Sequence, residues 1–158
     1  MHMTVHQFKL SKQSQVEREL NRLKDLGFCY SSFGFKSLQT SKVIGCFSHQ
    51  NWADKYVSQS LFSYDPLLQT ACHIENHTIL WSAVSIDSSE GYQVMQQRES
   101  VSGAKSGVTL AINDGRFQEI IAIGDYDEEI IFLERFTNHF TQILEARKML
   151  KNLLLDSA

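Results

Sequence analysis

The chain has a single proline among 158 residues and only three cysteines, Cys29, Cys46 and Cys72, at spacings that pair with nothing. An odd, scattered set of thiols excludes a disulfide framework and fits the reducing environment of a cytoplasm. No apolar run approaches the ~20 residues a membrane-spanning helix requires. The start, Met1-His2-Met3-Thr4-Val5, lacks a basic stretch followed by an apolar one, so no secretory signal is expected. Positive charge is sparse too: 15 Lys and Arg stand against 18 Asp and Glu, and no Lys/Arg cluster exceeds two residues. Phosphate contacts dominate nucleic-acid affinity, so this composition argues against nucleic-acid binding by the chain itself. With 42% hydrophobic and 21% charged residues, what remains is an ordinary globular composition. The length suits one domain over residues 1–158.

Periodicity divides the chain without linkers or repeats. Ser11 to Leu26 reads as an amphipathic helix carrying Val16, Leu20 and Leu23, with Gly27 as its stop. Strand-like runs follow at Phe28–Phe35 and Val43–Phe47. Asn51 is placed to cap a helix from Trp52 to about Phe62, and Asp65-Pro66 to start another reaching about His73. Thr78–Ser82 reads as a short strand, and Glu90–Val101 as a helix. Gly107–Asn113 and Phe117–Gly124 flank Asp114-Gly115, a hairpin turn signal. Asp127 to about Leu155 reads as one long helix, ~40 Å at ~1.5 Å per residue, with leucines crowding its second half. The fold expected from this order is an α/β/α sandwich around a mainly antiparallel five-stranded sheet.

The residues with most chemistry in them are Trp52, Tyr56, Asp65-Pro66 and Trp81. Trp52 and Tyr56, four apart, share one helix face, which then carries an indole N–H and a phenol O–H. A carboxylate follows at the next helix start. An aromatic wall with a few hydrogen-bonding groups suits a small molecule with a polar head and an apolar tail. Plainer readings stand beside this one: Asp65 as a helix cap, the two tryptophans and Tyr56 as core, Thr109 as a strand residue, Ser48 as a solvated loop residue. Cys72, His73, Glu75 and His77 do not follow the metalloprotease order His-Glu-x-x-His and read as a surface helix end, so no metal is expected. Gly103 to Gly107 has neither phosphate-loop nor nucleophile-elbow spacing and reads as a turn. No catalytic set and no cofactor motif is found, and the chain reads as a non-enzyme.

Four landmarks at their spacings carry a resemblance: Phe33-Gly34-Phe35, Trp52-x3-Tyr56-x8-Asp65-Pro66, Trp81, and Gly107 before the late hairpin. Together they resemble the autoinducer-binding domain of LuxR-type quorum-sensing receptors, which bind N-acyl-homoserine lactones and regulate transcription. The resemblance covers about Phe28 to Gly124. It implies that Trp52 donates to the lactone carbonyl, that Asp65 accepts from the ligand amide, and that Tyr56 and Trp81 wall the head group. Ser48 stands where the family places a Tyr that meets the acyl carbonyl, and Thr109 falls in the strand beside the pocket. The helix-turn-helix segment that follows in the family does not appear in these 158 residues. Two functions are therefore expected: a non-catalytic sensor for an acyl-homoserine lactone or similar amphiphile, or a stand-alone modulator that pairs with a full-length receptor. A homodimer or such a heterodimer is expected from the crowded leucines after Asp127.

Overall fold

The computed structural model describes residues 3–4 and 10–155. Their strands are β1 (Met3–Thr4), β2 (Tyr30–Ser37), β3 (Val43–Phe47), β4 (His77–Leu80), β5 (Ser106–Asn113) and β6 (Phe117–Asp125), in the spatial order β1-β3-β2-β6-β5-β4. β2 to β6 form the expected five-stranded antiparallel sheet. The two-residue β1 runs parallel to β3 at one edge, and so short a segment carries no period to read.

Among the described residues six α-helices cover the sheet: α1 (Leu10–Asp25), α2 (Gln50–Ser58), α3 (Pro66–Cys72), α4 (Ser89–Ser102), α5 (Glu129–Asn138) and α6 (Phe140–Leu155). Strand alternation sorts the side chains between two layers. Phe33, Phe35, Ile44, Cys46, Val108, Leu110, Ile121 and Ile123 face one way, onto Val16, Leu20 and Leu23 of α1, Phe132 and Phe136 of α5, and Ile143, Leu150 and Leu154 of α6. Tyr30 and Ala122 face the other way, into a cluster with Trp52, Tyr56, Leu67, Trp81 and Val94. The β5–β6 hairpin closes as expected at Asp114-Gly115. Asp114 Oδ1 accepts from the N–H groups of Arg116 and Phe117, each at 2.8 Å, and Gly115 takes φ 84°.

Two expectations need correction. The helix expected from Asp127 to Leu155 is two helices, broken at His139, where the backbone leaves helical values with φ −114° and ψ 16°. The His139 N–H still reaches the Arg135 carbonyl and its own carbonyl accepts from Ile143, so the bend leaves both groups paired. Two axes let α5 lie over β5 while α6 lies over β2 and β3 and leans on α1, which one straight rod cannot do. In the leucine-rich second half Ile143, Leu150 and Leu154 are fully buried, Leu144, Leu153 and Leu155 are half-buried, and Phe140 and Met149 are exposed. Finally, α2 starts at Gln50 rather than after Asn51. His49 takes the capping position without a side-chain bond, and Asp54 accepts from the Gln50 side chain at 2.7 Å.

Candidate functional site

α2 turns Trp52, Ala53 and Tyr56 inward as one buried face. After a left-handed residue at Ser60 and a single 3₁₀ turn, Asp65 opens α3 in an extended conformation with Pro66 at the first position, where a missing N–H costs nothing. Asp65 Oδ1 accepts from the Leu67 N–H at 3.1 Å, an N-cap as the sequence suggests. Its other oxygen, Oδ2, points into the protein and accepts from the Tyr56 hydroxyl at 2.8 Å. Capping and site chemistry thus share one buried carboxylate.

The third partner of that carboxylate has no sequence motif. Arg98, on the buried face of α4 with Gly91, Val94 and Ser102, is only 3% exposed. One terminal guanidinium nitrogen donates to Asp65 Oδ2 at 2.5 Å, Nε donates to the Tyr30 hydroxyl at 3.4 Å, and the other terminal nitrogen meets the Met95 sulfur at 3.3 Å. The guanidinium carbon lies 5.3, 5.7 and 5.8 Å from the ring centroids of Trp52, Tyr30 and Trp81. These are cation–π distances, inside an aromatic cage closed by a carboxylate. Burial works against the Arg98 charge, but Asp65 and the phenols of Tyr30 and Tyr56 outweigh it, and the guanidinium stays protonated. Burial, and next the Asp65 charge, push the Tyr56 phenol well above its ordinary value, so it remains a neutral donor.

The two tryptophans differ. Trp81 donates its indole N–H to Thr109 Oγ1 at 3.0 Å, with both residues buried. Gly107 makes this possible, because a Cβ there would stand 2.5 Å from the Trp81 ring. Trp52 is fully buried, and its indole N–H has no partner. A buried, unanswered donor is costly unless something else fulfils it.

Beside this cluster lies a cavity of about 70 Å³ between the sheet and α3. Its floor combines the small residues Ser32, Gly34, Gly45 and Ala122 with Val43, Phe47 and Ile120, and Leu67 and Leu68 close the α3 side. Tyr56, Asp65, Arg98 and Thr109 line it near Tyr30, and Lys36, Gln118 and Cys72 line it farther along. Ser32 pairs with Ala122 and Lys36 with Gln118, so the floor follows β2 and β6 from Tyr30 to Lys36. At ~3.3 Å per residue that run is ~20 Å long. Tyr56, Asp65, Arg98 and Thr109 are buried, whereas Gly34, Gly45, Ile120 and Lys36 are half-exposed. The groove is closed at its polar end and open along its run.

Of the residues nominated from sequence, the structure brings Trp52, Tyr56, Asp65, Trp81 and Thr109 into one cluster. Trp52 and Trp81 pack behind Arg98 rather than lining the cavity. Ser48 lies outside: its hydroxyl accepts from the Ser31 N–H at 2.9 Å, lies 2.8 Å from His49 Nδ1, and so links β2 to the start of α2. Among the described residues no group of three His, Cys, Asp or Glu side chains could hold a metal ion. Burial raises the Cys29 thiol to about 11 and the Cys46 thiol to about 12, so neither supplies a thiolate nucleophile near neutrality.

Residues 13–129 match the autoinducer binding domain family. The chain belongs to that family. Its members are ligand-binding regulators, not enzymes. The fold is similar to the acyl-homoserine-lactone-dependent LuxR family factor CepR2 from Burkholderia cenocepacia, at 14% identity and a TM-score of 0.57, covering 87% of this chain and 91% of that one. It is similar to Escherichia coli SdiA at 18% identity and a TM-score of 0.60, covering 93% of this chain but 63% of SdiA. The LBD domain of VqsR from Pseudomonas aeruginosa aligns at 12% identity and a TM-score of 0.59, covering 90% of this chain and 96% of that domain. No curated protein matches the chain by sequence. Among the described residues no helix is long and apolar enough to cross a membrane.

Proposed function

We propose that this autoinducer-binding domain is the sensor of a quorum-sensing regulator and binds a small amphiphile, an acyl-homoserine lactone or a related acyl compound. The acyl tail lies along the small-residue groove, and the polar head meets the Tyr56–Asp65–Arg98 end, beside Trp52 and Trp81. The observation that carries this reading is the groove itself. Its floor carries Ser32, Gly34, Gly45 and Ala122 between larger side chains, and it runs into the buried hydrogen-bonding groups of Tyr56, Asp65 and Arg98. One relative, SdiA, has been solved in complex with octanoyl-rac-glycerol, an amphiphile of the same general build. Small-molecule pockets usually enclose roughly 300–1,000 Å³, so the ~70 Å³ cavity widens as ligand enters, with α3 moving off the sheet.

The contracted cavity and the caged arginine favour a second reading: a cytoplasmic modulator that pairs with a LuxR-type receptor without ligand of its own. Exposed Tyr126, Ile130 and Ile131 around the start of α5 offer it an apolar surface for pairing. Native mass spectrometry and thermal unfolding with octanoyl-homoserine lactone and octanoylglycerol separate the two. A sensor retains at least one compound and melts higher with it; a modulator does neither and co-purifies with a receptor.

A further inference from the structure

Arg98 changes which chemistry the closed end of the groove can offer. A carboxylate provides about four acceptor positions, and Asp65 has committed three. Oδ2 is occupied by Tyr56 and Arg98, and Oδ1 holds the Leu67 N–H at the start of α3. The donors are less spent. A guanidinium has five N–H bonds, and Arg98 gives three, to Tyr30, Met95 and Asp65, leaving two. The carboxylate oxygen that faces Arg98 is thus filled from two sides, while Arg98 itself keeps two N–H bonds to offer.

We propose that Arg98 sets the ligand choice of this domain: standing against Asp65 inside the aromatic cage, it takes the contact an acyl amide would make, so the pocket prefers acyl esters to acyl amides. This rests on the sensor reading above and narrows its ligand class. An amide brings a donor that finds Oδ2 filled by the chain's own cation and must turn from the carboxylate to a neutral hydroxyl oxygen, a weaker acceptor. An ester of the same shape brings only acceptor oxygens, which the spare N–H bonds of Arg98 answer.

The clean probe is a pair of compounds differing in one atom: octanoyl-homoserine lactone and its counterpart with the amide N–H replaced by ester oxygen. Calorimetry on the wild-type protein is expected to show the ester binding about tenfold more tightly, the difference between a bond to a carboxylate and one to a neutral acceptor. Arg98→Met frees Oδ2 and is expected to erase or reverse that preference. An amide that binds wild type as tightly as the ester overturns the proposal, and that measurement needs no variant if Arg98→Met fails to fold. A folded variant that keeps the wild-type ratio overturns it too. If neither compound nor octanoylglycerol binds the wild type, the sensor reading itself fails and this inference falls with it. Tight amide binding, by contrast, removes the inference and leaves the sensor standing.

Discussion

On the face turned to α1, α5 and α6 the sheet presents Phe33, Phe35, Ile121 and Ile123, all without exposure, against Phe132, Ile143 and Leu150. On the face turned to α2, α3 and α4 it presents Ser32, Gly34, Gly45, Thr109 and Ala122, against aromatic rings, a buried ion pair and a cavity. The same five strands serve both faces, because alternation lets one set of residues be large and dry while its neighbours are small. The first face is filled to hold the fold together; the second leaves room and polar groups in place of packing. Stability should therefore respond to size on the first face and to charge and hydrogen bonding on the second.

The largest effect belongs to the dry face. Phe132→Ala empties a fully buried site packed edge-on against Phe28, and should cost about 3–5 kcal/mol in urea unfolding. Adding volume extends the test. Ala146→Val on α6, where the side chain is buried, should cost about 1–3 kcal/mol by overpacking. Ala122→Val, on the cavity floor, should cost less than that. If the two valines prove equally damaging, the two faces do not differ in the way described.

A comparable loss is expected across the sheet for a different reason. Arg98→Met keeps the bulk but strands Asp65 as a buried, unpaired carboxylate, which should cost about 3–5 kcal/mol. The double variant Arg98→Met with Asp65→Asn removes both charges and should be more stable than Arg98→Met alone. Additive losses in that double-mutant cycle would mean the ion pair is not the coupled unit its geometry describes.

Much of this was legible in local chemistry, and what was missed was not local. Asp65-Pro66 and Asp114-Gly115 announce their turns because cap and turn bonds are made within two or three residues. The strands followed from alternation. Arg98 gives no such sign, since its partners Tyr30 and Asp65 lie 68 and 33 residues away. The one available signal was its spacing with Val94 and Ser102, which sets an arginine at the centre of the inward face of α4. The break at His139 was hidden too. Neither proline nor glycine marks it, and the apolar period runs on through it; the need to cover different strands makes the bend. Ser48 was nominated because of a family position, whereas its hydroxyl serves the backbone of β2.

A smaller effect follows from pH. Cys46 faces the dry side, and burial lifts its thiol from 9.0 to about 12. A group whose folded value is raised contributes stability in full below its unfolded value and loses it as pH climbs toward the folded one. Folding should thus weaken from about pH 9 upward, with Cys46 contributing on the order of 2 kcal/mol by about pH 11. Tyr56, also raised, adds to the slope above its ordinary value of 10.0. Cys46→Ala should flatten this alkaline limb, as followed by urea midpoints across pH; an unchanged slope would assign it to other groups.

The smallest expected change is the most informative about the open face, because it sets two tryptophans in one cluster against each other. Trp81→Phe deletes a bond to Thr109 and leaves a buried hydroxyl without its donor, so it should cost about 1 kcal/mol more than Trp52→Phe. Trp52→Phe deletes an N–H that has no partner, and a phenyl ring still offers the Arg98 guanidinium a π face. Its lost packing is partly offset by relief of that orphaned donor, and its net cost should be the lower of the two. Ligand binding should behave differently. If the Trp52 N–H is held in reserve for a ligand oxygen, Trp52→Phe should lower affinity by about 0.5–1.5 kcal/mol even where stability scarcely changes. Calorimetry and urea unfolding on the same protein samples read both quantities. A Trp52→Phe protein with the larger stability loss and unaltered affinity would place that N–H in the packing of the fold rather than in the site.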